Sequence, residues 1–503
     1  MAPFDNVLDG IESDTFLDSC RTPLSTSSDD PVSVTTQNIL TIHTSLLFDP
    51  RCKEFLENVS IEIDTRTGTV THLYRRPSAD LHPAIMRPVD IDLRGKVVLP
   101  GLVDAHTHIL LHSDRDRFHT HQMSDESHVE RIVRATNHAR AALLAGYTTY
   151  RDLGTEALGC ADASLRDCIN RGLIPGPRLF VATEALASTG GYELRTENRL
   201  ARAGCSPLVP ILPRVSDAAD GVNGVTAAVR RRVADGADVI KIYADYRRQA
   251  MRFPADVPGP GGTLLFPPDR KPRNPVTPLF SPAELDAIVA EAKRAGLPVA
   301  AHAGEASTAL MAVRAGVTTV EHIFEDSDGV MTELIQEMEA RKTIWVPTLA
   351  TGEVYFDQAK YERCKAAVKN AFDRGVRIAA GGDTGVFDHG RNAREVEILV
   401  EAGIPLADAL VSATVMGWLA CGGDACGYRF GWLCPGNRAD IIALDTDPRT
   451  DPKALRKVSF VMKDGRVWKM DGRPAGINSL DKWENDAGGV GKKEVATGHV
   501  FRP

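Results

Sequence analysis

The sequence has no run of basic residues, and its formal net charge is −8 over 503 residues. Proteins that bind nucleic acid need a basic patch, so the sequence argues against nucleic acid as a partner. No apolar stretch approaches the roughly 20 residues that a membrane-spanning helix requires. The N-terminal residues also lack the basic and apolar blocks of a secretion signal. These absences predict a cytoplasmic protein with no membrane partner.

Cysteine is sparse and unpatterned. The nine cysteines are spread along the chain, and no two of them have the CxxC spacing that is typical of a thiolate metal site. Because their number is odd and the chain is long, reduced thiols are predicted rather than a disulfide framework. We therefore expect any metal site to use nitrogen and oxygen ligands.

The chain divides into four predicted segments. Residues 1–32 are rich in Ser, Asp and Thr without periodicity, which predicts a flexible tail. Short alternating runs within 33–95 and 424–475 predict strands, which favours one small composite β domain built from both termini. The other two segments are the central domain and a C-terminal extension of open fold, residues 96–423 and 476–503.

The central segment alternates short apolar runs with amphipathic stretches, which indicates parallel strands connected by helices. Capping-box spacing at Ser127 and Ser281 marks two helix starts, and glycines such as Gly316 mark helix ends. Eight strand–helix units over roughly 300 residues predict an α/β fold, a (β/α)8 TIM barrel, with an open doubly wound sheet as the alternative. The candidate strands are Val97–Val103, Tyr147–Asp152, Arg178–Thr183, Asp238–Tyr243, Pro298–Ala303, Thr318–His322, Thr343–Pro347 and Arg377–Gly381.

Ligand-type side chains stand at the ends of five of these strands. Catalytic groups project from the carboxyl ends of the strands in a TIM barrel, so the shared position predicts one site. Each residue alone has an ordinary explanation, since an HxH pair arises by chance and a strand-end histidine can be a core residue. Their occurrence together on one rim predicts a metal site. The residues are His106, His108, Lys241, His302, His322 and Asp383.

Lys241 lies inside the apolar run Asp238–Tyr243, where an unpaired ammonium group is costly to bury. Reaction with carbon dioxide would turn this lysine into a carbamate, whose oxygens can bridge two metal ions. Neutral imidazoles and carboxylates suit zinc, manganese or iron. Water shared by the ions would ionise near neutral pH. Asp383 could then accept its proton and deliver it to the leaving group.

Several separate motifs, spread from about Val34 to Lys469, carry a likeness to a known family. They are Leu99–His108 (LPGLVDAHTH), Val239–Ile242 (VIKI), Ala301–Ala303 (AHA), Glu321-His322, Gly382–Thr384 (GDT), Pro435–Leu444 (PGNRADIIAL) and Val461–Arg466 (VMKDGR). With these motifs the sequence resembles the amidohydrolase superfamily. Gly146–Leu153 (GYTTYRDL) is similar to a stretch of its imidazolonepropionase-like branch, which includes prolidase-type dipeptidases and a fungal ochratoxin-hydrolysing amidase.

The resemblance implies a binuclear metal-dependent hydrolase with two divalent ions, expected to be zinc. It implies that one ion is held by His106, His108 and Asp383, the other by His302 and His322, and that carboxylated Lys241 bridges them. The expected reaction is cleavage of an amide bond in a small molecule, such as an N-acyl amino acid or dipeptide, by metal-activated hydroxide. A cyclic amidase, lactonase or deaminase is the catalytic alternative, and a non-catalytic binding scaffold is the other. The family also makes a homo-oligomer the expected assembly.

Tyr192 and Tyr243 are the further candidate catalytic residues. Tyr192 ends a Thr-Gly-Gly-Tyr stretch where relatives often have a Gly-Gly-His element. It either hydrogen-bonds the scissile carbonyl or only packs. Tyr243 shares the inward face of its strand with Lys241 and is predicted to line the pocket.

The segment 245–280 also departs from the family pattern, since relatives commonly have a small glycine-rich turn here. Its length predicts a lid over the active-site rim. Arg247, Arg248 and Arg252 lie in it and either receive a substrate carboxylate by bidentate pairing or are surface residues.

Overall fold

The described part of the chain is a mixed α/β structure. The computed structural model describes residues 38–77, 86–194, 213–247 and 276–475. The strands are β1 (Ile39–Asp49), β2 (Glu54–Glu57), β3 (Val59–Asp64), β4 (Thr69–Arg75), β5 (Ile91–Pro100), β6 (Leu102–Thr107), β7 (Tyr147–Asp152), β8 (Arg178–Val181), β9 (Ala185–Ala187), β10 (Ser216–Ala218), β11 (Ile240–Tyr243), β12 (Asp245–Arg247), β13 (Val276–Pro278), β14 (Val299–Glu305), β15 (Thr319–Glu325), β16 (Ile344–Val346), β17 (Arg377–Ile378), β18 (Ile441–Leu444), β19 (Val458–Lys463), β20 (Arg466–Met470) and β21 (Arg473–Pro474). The α-helices are α1 (His119–Asp125), α2 (His128–Leu144), α3 (Ala161–Asn170), α4 (Gly221–Ala234), α5 (Pro282–Arg294), α6 (Ala306–Ala315), α7 (Met331–Arg341), α8 (Leu349–Tyr355), α9 (Gln358–Asp373), α10 (Ala393–Glu401), α11 (Leu406–Ser412) and α12 (Val415–Ala420), and the 3₁₀ helices are Gly423–Cys426 and Pro452–Arg456.

A nine-stranded sheet combines strands from both ends of the described chain. Its order is β21-β20-β19-β18-β5-β1-β3-β4, and β2 pairs with β1. The two sequence ends meet where β18 runs antiparallel to β5, with Ile442 opposite Leu99. Asp464 and Gly465 connect β19 to β20 with φ values of 52° and 71°, the left-handed backbone that a two-residue hairpin turn needs. The predicted segments 1–32 and 476–503 lie outside the described residues.

The central strands run parallel in two groups that backbone hydrogen bonds connect. One group is β6-β7-β8, and the other is β10-β9-β11-β14-β15-β16-β17. Between β8 and β11, Asp238 N donates to Val181 O at 2.7 Å. Between β6 and the end of β17, Ala105 N donates to Ala380 O at 2.9 Å. The last central strand is therefore bonded to the first.

Seven of the eight candidate strands coincide with observed strands to within a few residues. The remaining prediction, one strand over Val97–Val103, is wrong because the chain changes sheets at Gly101. Residues up to Pro100 belong to β5 in the nine-stranded sheet, and β6 begins at Leu102. A Cβ at Gly101 would collide with Thr148, so only glycine permits the close approach at this crossing.

Helix boundaries follow the predicted signals. Ser281 and Glu284 form a complete capping box at the start of α5. The Ser127 side chain accepts a hydrogen bond from Glu130 N at the start of α2. Glycines with positive φ follow the helices, in the left-handed backbone that terminates a helix. They are Gly146, Gly236, Gly296, Gly316 and Gly375.

The helices and central strands enclose an apolar interior. Leu186, Ile242 and Val320 in the strands are fully buried, as are Val229 and Ile288 in the surrounding helices. Buried charges are rare in such surroundings and require partners, so those at the strand ends mark the site described next. No helix within the described ranges has both the length and the apolar character to cross a bilayer.

Candidate metal centre

His106 and His108 lie at the end of β6 and point toward one carboxylate. His106 Nε2 is 3.4 Å from Asp383 Oδ1, and His108 Nε2 is 3.3 Å from the same oxygen. Asp383 follows β17, and its backbone N donates to His106 O at 2.9 Å. Two imidazoles and a carboxylate therefore converge from strands that are far apart in sequence.

His302 and His322 lie beside this group. The ring centroids of His302 and His322 are 4.5 Å apart, and those of His106 and His322 are 4.9 Å apart. His106, His322 and Asp383 each offer a ligand atom within 4.8 Å of the others. This tight group draws on both of the ligand sets implied by the resemblance, so the two sets adjoin in the structure.

In three of the imidazoles, the Nδ1 atom already has a hydrogen-bonding partner. The pairs are His106 Nδ1 with Glu321 Oε2 at 2.8 Å, His322 Nδ1 with Thr348 Oγ1 at 2.9 Å and His108 Nδ1 with Gly154 O at 3.2 Å. Such partners fix the ring orientation and leave Nε2 for a metal ion. Among the described residues, His106 Nε2 is buried without a hydrogen-bond partner, as a vacant ligand atom would be.

Lys241 in β11 is 1% exposed. In the described ranges its ammonium group forms no ion pair, and Nζ lies 5.8 Å from the centroid of the Tyr243 ring. Burial lowers the pKa of Lys241 to about 8, so part of the amine is unprotonated at neutral pH. Burial and the charge of Lys241 lower the pKa of His302 to about 3. His302 is therefore neutral at physiological pH, the form that binds metal ions.

Tyr192 and Tyr243 form one wall beside the histidines. Their ring centroids are 4.2 Å apart, and the Tyr243 ring is 5.0 Å from that of His302. Both hydroxyls donate to Glu156, Tyr192 to Oε2 at 2.6 Å and Tyr243 to Oε1 at 3.3 Å. The Tyr192 hydroxyl is thus bonded to a carboxylate in this arrangement, and whether it also contacts a scissile carbonyl stays a prediction.

Glu321 and Arg151 are buried charged residues of the site that the sequence analysis missed. Glu321 Oε1 accepts from Arg151 Nη2 at 2.9 Å, while Oε2 faces His106. Arg151 Nε donates to Ala105 O at 2.6 Å. β7 has the sequence Tyr-Thr-Thr-Tyr-Arg-Asp, so Arg151 does not interrupt an apolar run as Lys241 does, and its role shows only in the folded chain.

The site holds strained backbone in place. Asp383, His322 and Thr348 have φ values of 59°, 77° and 50°. Non-glycine residues pay about 1–3 kcal/mol for such conformations, which persist when their surroundings fix them. Asp104 Oδ1 provides such a constraint, since it accepts from Gly382 N at 3.2 Å immediately before Asp383.

β12 and β13 form an antiparallel pair at the base of the predicted lid. Asp245 in β12 accepts from Gly304 N at 2.8 Å, and its Oδ1 is 3.8 Å from His302 Nε2. Arg247 ends β12 and is exposed. Arg248 and Arg252 lie outside the described residues.

Known proteins are similar to this chain in sequence and in fold. The model of the amidohydrolase family matches residues 97–468. The chain belongs to the amidohydrolase family. This amidohydrolase is a hydrolase acting on carbon–nitrogen bonds. The family generally uses metal ions, and the His106, His322 and Asp383 group is a candidate metal site.

Relatives place this amidohydrolase in the predicted branch. Ochratoxinase of Aspergillus niger is 30% identical over 490 residues, covering 93% of the chain and 92% of the relative. The solved structure of that ochratoxinase is similar with a TM-score of 0.68 and 28% identity, over 86% of this chain and 96% of that one. A Xaa-Pro dipeptidase solved with methionine in its active site gives 0.67 and 28%, over 86% and 100%. Imidazolonepropionase of Symbiobacterium thermophilum is 25% identical over 409 residues, covering 76% of the chain and 84% of the relative.

Proposed function

We propose that this amidohydrolase is a binuclear metal-dependent enzyme that cleaves an amide bond of a small molecule, an N-acyl amino acid or a dipeptide. One observation carries the proposal: two imidazole Nε2 atoms lie 3.3 to 3.4 Å from one oxygen of Asp383 while outer partners hold their Nδ1 atoms. The names of the relatives, an ochratoxinase and a Xaa-Pro dipeptidase, support the choice of bond and substrate class.

The central strands, in this proposal, close into a (β/α)8 barrel over residues 96–423. The hydrogen bonds between β6 and β17 support closure, as does a parallel bridge between Thr107 and Thr384 at the same edges. The nine-stranded sheet supports a small β domain made of 33–95 and 424–475. The metal centre then lies at the mouth of the barrel where catalytic groups are expected.

The donor set fits two divalent ions, with zinc as the proposed metal. His106, His108 and Asp383 would hold one ion, His302 and His322 the other, and carboxylated Lys241 both. The buried Nε2 of His106 without a hydrogen-bond partner in the described residues supports this fit, as does the set of nitrogen and oxygen ligands. When bound, the ions would supply Lewis acidity and lower the pKa of water.

The side chains of the chain itself perform the remaining steps. Asp383 accepts the proton of the attacking water at Oδ1 or Oδ2 and passes it to the leaving nitrogen. Tyr243 and Tyr192 orient the substrate from the wall next to His302. Lys241 forms its carbamate through the neutral amine, losing a proton and gaining carbon dioxide, and its lowered pKa makes that amine available.

Metal content and product release together test this function. Purified protein is analysed for zinc, manganese and iron, then incubated with N-acyl amino acids, dipeptides, lactones and esters. We expect about two metal equivalents per chain and release of a free amino acid. Two equivalents with turnover of lactones alone would move the assignment to a lactonase, and neither metal nor turnover would point to a binding scaffold.

A further inference from the structure

A cavity lies at the opposite end of β17 from the candidate metal centre. Arg377 begins β17 and lines this cavity, whereas Asp383 follows the far end of the same strand. The walls come mainly from β17 and from helices α9 to α12. The apolar lining residues include Phe372, Ile378, Leu399, Val411 and Met416.

Arg377 is buried without a partner for its charge. It is 8% exposed, and its Nε and Nη2 atoms have no hydrogen-bond partner among the described residues. A guanidinium stays charged in proteins, and an isolated buried charge is costly. Burial lowers the pKa of Arg377, and no carboxylate in the described ranges acts against that effect. The Arg377 guanidinium therefore has no ionic partner among the described residues.

The carboxylate that lines the cavity does not supply the complement. Asp408 Oδ1 lies 2.8 Å from Lys53 Nζ, so that carboxylate is already paired with another lining residue. Lys53 and Arg377 together carry two positive charges against one negative charge on Asp408. Among the described lining residues, the formal side-chain charges thus sum to one positive charge.

We propose that this cavity binds one small monovalent anion, such as chloride or bicarbonate, on the guanidinium of Arg377. The cavity volume, counted as the space open to the centre of a water-sized group, is about 30 Å³. One water needs about 10–15 Å³ by this measure, so a single small anion fits and a nucleotide or peptide does not. The apolar walls strengthen the attraction, because Coulomb energies grow as the surrounding dielectric constant falls. Binding would fasten β17 to the helices that cover it.

Anion-dependent stability tests the site in the full-length protein. The melting temperature is measured at constant ionic strength while chloride or bicarbonate replaces a bulky organic sulfonate. We expect a saturable rise of roughly a few degrees in the wild type, because a ligand that binds only the folded state stabilises it. Arg377→Leu should lose this rise. Arg374→Leu, which removes an exposed arginine three positions earlier, should keep it.

A second measurement locates the anion directly. Crystals of the wild type grown in bromide should show an anomalous peak beside the Arg377 guanidinium. A saturable rise that persists in Arg377→Leu would overturn the proposal, and for bicarbonate would assign the effect to Lys241 instead. Wild-type crystals without a bromide peak in the cavity would also overturn it, even where Arg377→Leu fails to fold.

Discussion

At the scale of single residues, Asp383 is the side chain on which the proposed mechanism depends most. Its carboxylate faces His106 and His108, and the hydrogen bond from Gly382 N to Asp104 helps to hold its strained backbone in place. Asp383→Asn keeps the shape of the side chain but removes the proposed proton acceptor, so we expect kcat to fall by roughly 10²–10⁴-fold. The melting temperature should stay close to that of the wild type. Asp388→Asn, an exposed neighbour, serves as the control, and ordinary turnover by Asp383→Asn would remove the residue from the mechanism.

Glu321 would be a positioning residue in the proposed metal centre, because its Oε2 contacts His106 Nδ1. Glu321→Gln weakens the hold on His106 Nδ1 and leaves the buried Arg151 without its carboxylate. Loss of such outer partners typically lowers metal affinity by about 10–100-fold, which metal titration with a chelator measures. Glu325→Gln at the exposed end of the same strand should leave affinity unchanged. Equal affinities in both variants would show that Glu321 has only a packing role.

Lys241 is tested by chemical rescue. Lys241→Ala should lose bound metal, because the proposed bridging carbamate cannot form. Added acetate or formate should restore part of the metal content and part of the activity by filling the vacated position. Lys457→Ala, an exposed lysine, should behave as the wild type. Retention of two ions by Lys241→Ala without any added acid would contradict the carbamate.

At the scale of elements, sequence periodicity predicted most of the central strands and the helix starts. β7 begins and ends at its predicted residues, and Ser281 caps α5 as its spacing predicts. These features depend on neighbours close in sequence, which local patterns can record. The division at Gly101 was missed because it depends on contact with Thr148, which no local pattern reveals. The outer partners were missed for the same reason: Glu321 meets His106 across 215 positions.

The capping box of α5 gives a stability prediction at this scale. The Ser281 side chain accepts from Glu284 N, and the Glu284 side chain accepts from Ser281 N at 2.7 Å. Ser281→Ala should lower the free energy of unfolding by about 0.5–2 kcal/mol. Denaturant unfolding measures this change, with Ser281→Thr as the matched control that keeps the cap. An alanine variant as stable as the wild type would show that the capping box does not stabilise α5.

At the scale of the whole molecule, the metal-free protein should lose stability in acid. The pKa of His302 is lowered from 6.5 to about 3 in the folded protein, mainly by burial. Below pH 6.5, His302 therefore binds a proton in the unfolded chain but stays neutral in the folded chain. The free energy of unfolding falls as the pH drops from 6.5 toward 3. His302→Asn should make this dependence less steep in denaturant unfolding measured at each pH, while buried His106 and His322, whose pKa values are also lowered, keep part of it. An unchanged slope would show that His302 titrates normally.

Substrate selectivity depends on the whole folded molecule, and it was the property that the sequence predicted least well. The candidate ligand residues stand at strand ends, and the sequence pattern predicts the order of those strands. Selectivity, in contrast, depends on segments that come together only in the folded molecule. Tyr192 illustrates the point: the sequence left packing and a hydrogen bond to the scissile carbonyl equally open, and the contact with Glu156 is seen only in the folded chain.

The most direct test of the account is a crystal structure recorded at the zinc absorption edge. We predict two anomalous peaks, one among His106, His108 and Asp383 and one beside His302 and His322. Continuous density for a carboxylated Lys241 should lie between them. A single peak or none in zinc-loaded crystals, with an unmodified Lys241 and the imidazoles turned apart, would contradict the binuclear centre.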